Sequence, residues 1–229
     1  MTMPPPHALV TGCSSGIGHS IAQKLLDEGW HVTGLSRRRP DVSGDFDWVP
    51  ADLSQTSALP SLIEDVDTVQ AVVHAAGFQY AQPLGELNDT ALRDMFAVHV
   101  EAAAVLVNTL FDRIESDGRI VLIGSRTATG AGGKCQYAAT KAALTGLARS
   151  WAMELAPRRI TVNVVAPGPT DTPMLVDPRR STVSPATPPL GKLVDPDDVG
   201  ALTSFLLGTH GKSITGQVLT VCGGASLPR

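Results

Sequence analysis

Cysteines and runs of like charge are scarce in this chain, and each scarcity excludes a class of protein. The three cysteines, Cys13, Cys135 and Cys222, are widely separated and form no metal-binding cluster, so we expect reduced thiols and no metal site. The longest basic run covers residues 37–39 and the formal net charge is −4. This balance does not favour a nucleic-acid partner.

Long apolar runs are missing as well. No stretch of about 18 consecutive apolar residues occurs, so we expect no helix that spans a membrane. The first six residues lack the basic and apolar segments of a signal peptide, and we therefore expect a cytoplasmic protein.

The composition that is present belongs to a globular protein, with 43% hydrophobic and 17% charged residues in 229. This length suits one α/β domain, residues 1–229. Short apolar runs alternate with helical periodicity, which predicts a doubly wound parallel sheet of seven strands. The predicted strands are His7–Thr11, His31–Leu35, Phe46–Pro50, Thr68–His74, Arg119–Gly124, Ile160–Ala166 and Gln217–Val221. The predicted helices are Gly16–Glu28, Ser54–Asp65, Asp89–Ile114, Tyr137–Leu155 and Pro196–Leu207.

One segment departs from this alternation. Prolines at positions 173, 178, 185, 188 and 189 interrupt any long helix there. A long irregular segment in a compact domain is typical of a lid over a binding site, and a solvated linker is the alternative. We predict a substrate-binding lid around residues 173–195.

A glycine-rich turn follows the first predicted strand. Gly12, Gly16 and Gly18 are spaced as Gly-x-x-x-Gly-x-Gly, where the backbone has to approach phosphate groups. The helix that begins near Gly16 points free N–H groups and its positive end at the same place. A glycine cluster is also ordinary turn chemistry, but its position between a strand and an amphipathic helix favours a nucleotide site.

The end of the second strand indicates which dinucleotide binds. A site selective for NAD(H) usually has an acidic residue there for the ribose 2′-hydroxyl. Here Ser36, Arg37 and Arg38 follow the strand, and arginine suits a 2′-phosphate. The pattern favours NADP(H) over NAD(H), with Arg37 as the first contact, and a solvated turn is the alternative.

A candidate acid/base lies in the second half of the chain. Tyr137 and Lys141 are four residues apart and share a helix face, and Ser125 precedes them. A nearby cation favours phenolate, so we expect Lys141 to lower the pKa of Tyr137 from about 10. Such a phenol passes a proton to or from an alcohol oxygen. Alone, this spacing also occurs by chance on solvated helices.

Together these motifs resemble the short-chain dehydrogenase/reductase family, and the resemblance extends from Thr11 to Gly224. It includes the block 163–174 and the last strand, 214–219. The resemblance implies a Rossmann fold and an NADP(H)-dependent carbonyl reductase or alcohol dehydrogenase. It implies that Ser125 binds the reacting oxygen, that Tyr137 transfers the proton, and that Lys141 binds the nicotinamide ribose.

The resemblance also implies a set of cofactor contacts. Asp52 is expected to hold the adenine amino group, and a threonine after the Pro-Gly turn is expected to meet the nicotinamide carboxamide. The full set of implied cofactor residues is Gly12, Ser14, Ser15, Gly16, Ile17, Gly18, Ser36, Arg37, Arg38, Asp52, Leu53, Ala75, Ala76, Gly77, Tyr137, Lys141, Pro167, Gly168, Thr170 and Thr172.

Several positions depart from the family's pattern. His99 stands where the family has a catalytic asparagine that holds a water, and we expect its neutral imidazole to accept from that water and maintain the relay. A plain helix histidine is the alternative. His74 and Ala75 replace two asparagines, so we expect the side-chain bonds that brace the sheet to be missing. These departures leave a second hypothesis open, a non-catalytic NADP(H)-binding sensor or scaffold of the same fold.

The substrate is expected to be a small carbonyl or alcohol compound. Arg126 follows Ser125 directly; an arginine at a strand end usually faces solvent or pairs with an acid, and contact with an anionic group is the alternative. Mixed charges at positions 112–119 do not favour an acidic carrier protein as partner, although Arg158 and Arg159 leave that alternative open. The resemblance implies a homo-oligomer, a tetramer or a dimer. The candidate pocket residues, most of them apolar, are Phe78, Gln79, Tyr80, Arg126, Thr127, Pro169, Met174 and Leu175.

Overall fold

In the computed structural model, which describes residues 4–180, 182 and 186–227, seven strands form one sheet. All strand pairs are parallel and the order is β3-β2-β1-β4-β5-β6-β7. The predicted doubly wound parallel sheet is therefore confirmed. The strands are β1 (His7–Thr11), β2 (His31–Ser36), β3 (Phe46–Pro50), β4 (Val69–His74), β5 (Ile114–Ile123), β6 (Thr161–Pro167) and β7 (Val218–Val221).

The helices cover both faces of the sheet. On one face α1 packs against α6, and on the other α2, α4 and α5 cover the remaining core. None of the helices in the described ranges is both long and apolar enough to cross a membrane. The helices are α1 (Gly16–Asp27), α2 (Leu59–Leu62), α3 (Asp89–Phe96), α4 (Ala102–Thr109), α5 (Cys135–Leu155) and α6 (Pro196–Leu207).

The core consists of two apolar layers separated by the sheet. Successive residues of β1 face opposite layers, so Leu9 packs with α4 and α5 while Val10 packs with α1 and α6. Central parallel strands are buried on both faces, which explains why β1 and β4 appear in the sequence as continuous apolar runs.

The helix predicted over 89–114 is present, but it ends at Thr109 and contains a π turn. A π-helical turn at Ala97–Glu101 separates α3 from α4, α4 ends at Thr109, and a 3₁₀ turn at Phe111–Arg113 leads into β5. The guanidinium of Arg113 donates hydrogen bonds to the carbonyls of Ile63 and Val66 at 2.8 and 2.6 Å, which fixes this link against the end of the preceding segment. A π turn accommodates one additional residue per turn and occurs preferentially at functional sites.

The helix predicted over 54–65 is also shorter than expected. Only a 3₁₀ turn at Thr56–Ala58 and the four-residue α2 form there. Leu59 and Ile63 are buried, whereas the residues between them are exposed, so the segment has little apolar surface to stabilise a longer helix.

Candidate active site

The carboxyl ends of the central strands open into one cavity of about 760 Å³. Parallel strands present these ends at the same edge of the sheet, where ligands of open α/β folds bind. Every cofactor residue expected from the sequence lines this cavity, and so do Ser125 and all eight candidate pocket residues. Of the residues singled out for chemistry, His99 alone is absent from the wall.

The glycine-rich turn forms a cradle of backbone at one end of the cavity. Gly12 has φ +71°, and a Cβ there would lie 2.7 Å from the Cα of Ala76. A Cβ at Gly18 would lie 2.3 Å from the carbonyl oxygen of Gly12. Ser15 precedes α1 without a side-chain cap, and no acidic residue occupies the first turn, so the free N–H groups remain available to an anion. The cradle fits a pyrophosphate.

The end of β2 presents cations at the rim of the same cavity. Ser36 is buried and its hydroxyl donates to the carbonyl of Arg38 at 2.7 Å, which leaves the Arg37 and Arg38 side chains exposed. Asp52 accepts from the amide and hydroxyl of Ser54 at 3.0 and 2.8 Å. These bonds, with a smaller contribution from Arg37, lower the pKa of Asp52, so its carboxylate is ionised.

The other end of the cavity holds the candidate acid/base. Lys141 is 4% exposed, and its Nζ donates to the carbonyl of Ile123 at 2.8 Å. Its Nζ lies 6.0 Å from the centroid of the Tyr137 ring. The Ser125 hydroxyl lies 2.8 Å from that of Thr127. Burial raises the pKa of Tyr137, and contact with Ser125 and the charge of Arg180 partly oppose this increase.

The expectation that Lys141 lowers the pKa of Tyr137 is wrong. Burial lowers the pKa of Lys141 itself to about 7, so at neutral pH the amine carries only part of a charge. Desolvation disfavours the charged form of both groups and is the largest cause of both shifts in pKa. The phenol is therefore protonated at neutral pH.

His99 is fully buried behind the cavity wall, on the π turn. Its Nε2 accepts from the backbone N–H of Phe78 at 3.1 Å, and its Nδ1 lies 2.9 Å from the hydroxyl of Thr140. That hydroxyl donates to the carbonyl of Tyr137 at 2.9 Å, so the Nδ1–H is the donor to Thr140. Burial, followed by the charge of Lys141, holds the pKa of His99 well below its usual value.

This network leaves no lone pair of the His99 ring free for a water, so the water-relay role expected from the sequence does not fit the geometry. The ring instead connects the loop after β4 to the first turns of α5. His99 is better described as a positioning residue for the backbone that carries Tyr137.

His74 supplies the bracing bonds that were expected to be missing. Its Nδ1 lies 3.0 Å from the hydroxyl of Thr11, and its Nε2 lies 3.0 Å from the carbonyl of Val98. The Thr11 hydroxyl also accepts from the amides of Ala75 and Ala76 at 3.1 and 3.2 Å. The histidine thus holds β1, β4 and the π turn together.

Several charged residues of the wall are not among the site residues predicted from the sequence. Asp94, Lys134, Asp177, Arg179 and Arg180 all line the cavity. The two arginines are adjacent in the predicted lid, and this pair was the one available signal. The lid segment forms 3₁₀ turns at Pro173–Val176 and Pro178–Arg180, whereas its residues 181 and 183–185 lie outside the described part of the chain.

Comparisons with known proteins agree with this architecture. A family model described as Enoyl-(Acyl carrier protein) reductase matches residues 12–226. The 3-oxoacyl-[acyl-carrier-protein] reductase FabG of Salmonella typhimurium is 32% identical over 95% of this chain and 96% of its own. The structure of a blue fluorescent protein from a metagenomic library in complex with NADPH has a TM-score of 0.84 at 30% identity, covering 96% of this chain and 97% of that one.

A further solved structure, the 3-ketoacyl-(acyl-carrier-protein) reductase of Brucella melitensis complexed with NADH, has a TM-score of 0.84 at 24% identity and covers 97% of this chain and 98% of that one. The residues matched by the family model include strands β2 to β7 and the whole cavity wall, which assigns the protein to the oxidoreductases. The chain belongs to the short-chain dehydrogenase/reductase family, as its motifs predicted.

The buried amine makes stability depend on pH. In the folded chain the pKa of Lys141 is about 7, against 10.5 for an ordinary lysine. Between these values the unfolded chain binds a proton that the folded chain lacks, so raising the pH favours the folded state by up to about 1.4 kcal/mol per unit. We expect the nucleotide-free protein to gain stability over Lys141→Met between about pH 7 and pH 9.5.

Urea unfolding of both proteins across this range measures the difference in the free energy of unfolding. Lys212→Met, which removes an exposed amine, is the matched control and should follow the wild type. If the free energy of unfolding changes with pH in the same way for the wild type and Lys141→Met, Lys141 is charged in the folded protein.

A second prediction concerns His99. His99→Leu leaves the Phe78 N–H without a partner and removes the donor to the Thr140 hydroxyl, whereas the carboxamide of His99→Asn replaces part of the network. We expect kcat/KM to fall about 100-fold for leucine and less than about 10-fold for asparagine. Steady-state kinetics with any accepted carbonyl substrate measures kcat/KM of both variants and of the wild type, and Tm is measured for the same proteins. Equal activity of the two variants would be inconsistent with a positioning role.

Proposed function

We propose that this protein is an NADP(H)-dependent reductase that converts a small ketone or aldehyde into an alcohol, and catalyses the reverse oxidation. One observation carries the proposal. Tyr137 and Ser125 share the wall of the cavity with the nucleotide cradle, and burial keeps the Tyr137 phenol protonated at neutral pH. A protonated phenol is the form that donates a proton, so the site favours reduction near neutrality.

The residues of the chain have distinct roles in the proposed reaction. When bound, the nicotinamide supplies the hydride. The hydroxyls of Ser125 and Tyr137 donate hydrogen bonds to the carbonyl oxygen of the substrate and stabilise the negative charge that develops there. Tyr137 then transfers its proton to that oxygen, so that one hydride and one proton complete the alcohol. The charge of Arg180 lowers the pKa of Tyr137 and thus stabilises the phenolate that remains.

The residues present fit a dinucleotide with a 2′-phosphate. The backbone cradle keeps its shape because Gly12 and Gly18 lack a Cβ, which at these positions would collide with the backbone of Ala76 and of Gly12 itself. Arg37 and Arg38 lie exposed at the end of β2, where a 2′-phosphate would meet planar, permanently charged donors. Asp52 is expected to hold the adenine, and Lys141 the nicotinamide ribose, by likeness to the family. NADP(H) is therefore preferred to NAD(H).

A non-catalytic sensor or scaffold that binds NADP(H) is the second candidate. The observation in its favour is that both nitrogens of the His99 ring have protein partners, which leaves no lone pair of the ring for a relay water. The presence of all three residues Ser125, Tyr137 and Lys141 around one cavity argues against a sensor or scaffold, because binding a nucleotide requires no proton donor.

Two further features complete the proposal. Residues 173–195 act as the lid over the substrate, because the described part of this segment contributes residues to the wall of the cavity that contains Tyr137. The protein assembles as a homo-oligomer, a tetramer or a dimer. Leu92 and Phe96 of α3 and Met153 of α5 support this, since these large apolar side chains are exposed in the single chain.

Oxidation of NADPH in the presence of a panel of ketones, aldehydes and diketones tests the reaction. We expect Tyr137→Phe to lower kcat/KM by about 10²- to 10⁴-fold, because it removes the proton and leaves the ring. The other tyrosine of the chain also lines the cavity, and Tyr80→Phe should cost much less. Turnover that survives Tyr137→Phe would exclude the tyrosine mechanism. Tight NADPH binding without turnover on the panel would favour the sensor.

Charge reversal at the end of β2 tests the choice of cofactor. An aspartate in Arg37→Asp repels a 2′-phosphate and accepts from a ribose 2′-hydroxyl. We expect the ratio of kcat/KM for NADPH to that for NADH to fall at least about 10-fold. Arg39→Asp, an exposed substitution two residues further on, is the control. An unchanged ratio would remove Arg37 from the cofactor site.

A further inference from the structure

Three cations gather at the substrate end of the cavity. Arg126 follows Ser125 at the end of β5, Lys134 precedes α5, and Arg180 comes from the lid segment. All three line the cavity that contains Tyr137. They come from three separate parts of the chain, and the fold brings them to one place.

These cations are incompletely satisfied within the described residues. Arg180 is 7% exposed, and its Nη1 donates to the carbonyl of Met174 at 3.1 Å. The Nε of Arg180 and the Nε of Arg126 are buried and have no hydrogen-bond partner among the described residues. A buried guanidinium that lacks partners carries a substantial free-energy cost, which a bound ligand can remove.

Lys134 adds to the free-energy cost of this cluster of cations. It occupies the position before the first turn of α5, next to the positive end of the helix dipole, where an anion is preferred and a cation is not. Burial lowers its pKa, and the charges of Arg180 and Arg126 lower it further. Three like charges close to one another at a helix N-terminus resemble a binding site for an anion more than a structural arrangement.

Neighbouring acids do not neutralise this cluster. Asp177 is paired with Arg179 at 2.5 Å, and Arg179 also stacks on Phe78 at 4.8 Å from the ring centroid. Asp177 contributes only a lesser attraction to Arg180. Asp94 lines the cavity too, but it is not among the charges that shift the pKa of Lys134 or Arg180. The residues outside the described ranges include no aspartate or glutamate.

We propose that the substrate of this enzyme carries an oxyanion, a carboxylate or a phosphate, a few bonds from its reacting carbonyl, and that Arg126, Lys134 and Arg180 bind it. The inference rests on the proposed reductase function. It also narrows the substrate class, because a thioester on a carrier protein is neutral beside its carbonyl and would leave these charges unmatched. The apolar side chains of Met174 and Leu175 would then contact the carbon chain between the two groups.

Matched pairs of substrates test the proposal. An oxo acid is compared with its methyl ester, and dihydroxyacetone phosphate with dihydroxyacetone, as kcat/KM with NADPH. For at least one of these pairs, we expect kcat/KM of the wild type to be at least about 30-fold higher for the anion than for its neutral partner, because the anion forms charge-assisted bonds to buried cations. Arg180→Gln retains a donor for the Met174 carbonyl, and we expect it to reduce this preference at least about 10-fold. The control, Arg93→Gln, removes an exposed arginine of α3 and should leave the preference intact.

The readouts separate failure of this inference from failure of the reductase function. Equal rates for the members of both pairs, or a preference that Arg180→Gln leaves unchanged, would overturn the oxyanion site while the reductase stands. If no compound is reduced, Tm in the presence of NADPH decides. An increase in Tm with the anion alone, lost in Arg180→Gln, supports the oxyanion site and counts against the reductase. If neither anion increases Tm, the result counts against both the oxyanion site and the reductase function.

Discussion

A single buried hydrogen bond, from Lys141 Nζ to the carbonyl of Ile123, fixes the geometry of the candidate active site. Ser125 lies two residues beyond Ile123, and Tyr137 lies one helical turn before Lys141, so this contact sets the position of both hydroxyls relative to the sheet. Because the bond is buried, water does not compete for either partner. The same burial determines the electrostatics, since it favours the neutral forms of Tyr137 and Lys141. Position and protonation state therefore have one cause.

Two neutral histidines support this arrangement from behind the wall. Burial lowers the pKa of His74 to about 3 and holds that of His99 well below its usual value, so neither carries a charge at neutral pH. A neutral imidazole offers one donor and one acceptor, and both rings use both. His74 connects β1 and β4 to the π turn, and His99 connects the π turn to the loop after β4 and to α5. Asparagine side chains offer the same two functions, which explains how the fold tolerates both replacements.

Much of the fold was predictable, because buried parallel strands and amphipathic helices leave periodic patterns. The bounds of β1, β3 and α6 agree with the prediction. The cofactor end was predictable because its contacts follow local motifs, such as the turn at Gly12–Gly18. The π turn at Ala97–Glu101 was not predictable, since the bonds of His99 join residues 21 and 41 positions away. The direction of the pKa shift of Tyr137 was missed for a similar reason, because burial depends on elements that no local pattern reveals.

The cation cluster links the proposed lid segment to the proposed proton donor. The lid segment is attached to the loop after β4, where the amide of Ala81 donates to the carbonyl of Arg179 at 3.0 Å. Arg179 pairs with Asp177 and stacks on the ring of Phe78. The adjacent Arg180 is buried, and its charge lowers the pKa of Tyr137. An oxyanion on Arg180 would offset part of that charge and raise the pKa of Tyr137. The bound substrate would then favour the protonated phenol, which is the form that donates in reduction. On this argument, charge matching contributes to the protonation state of Tyr137 as well as to the choice of substrate.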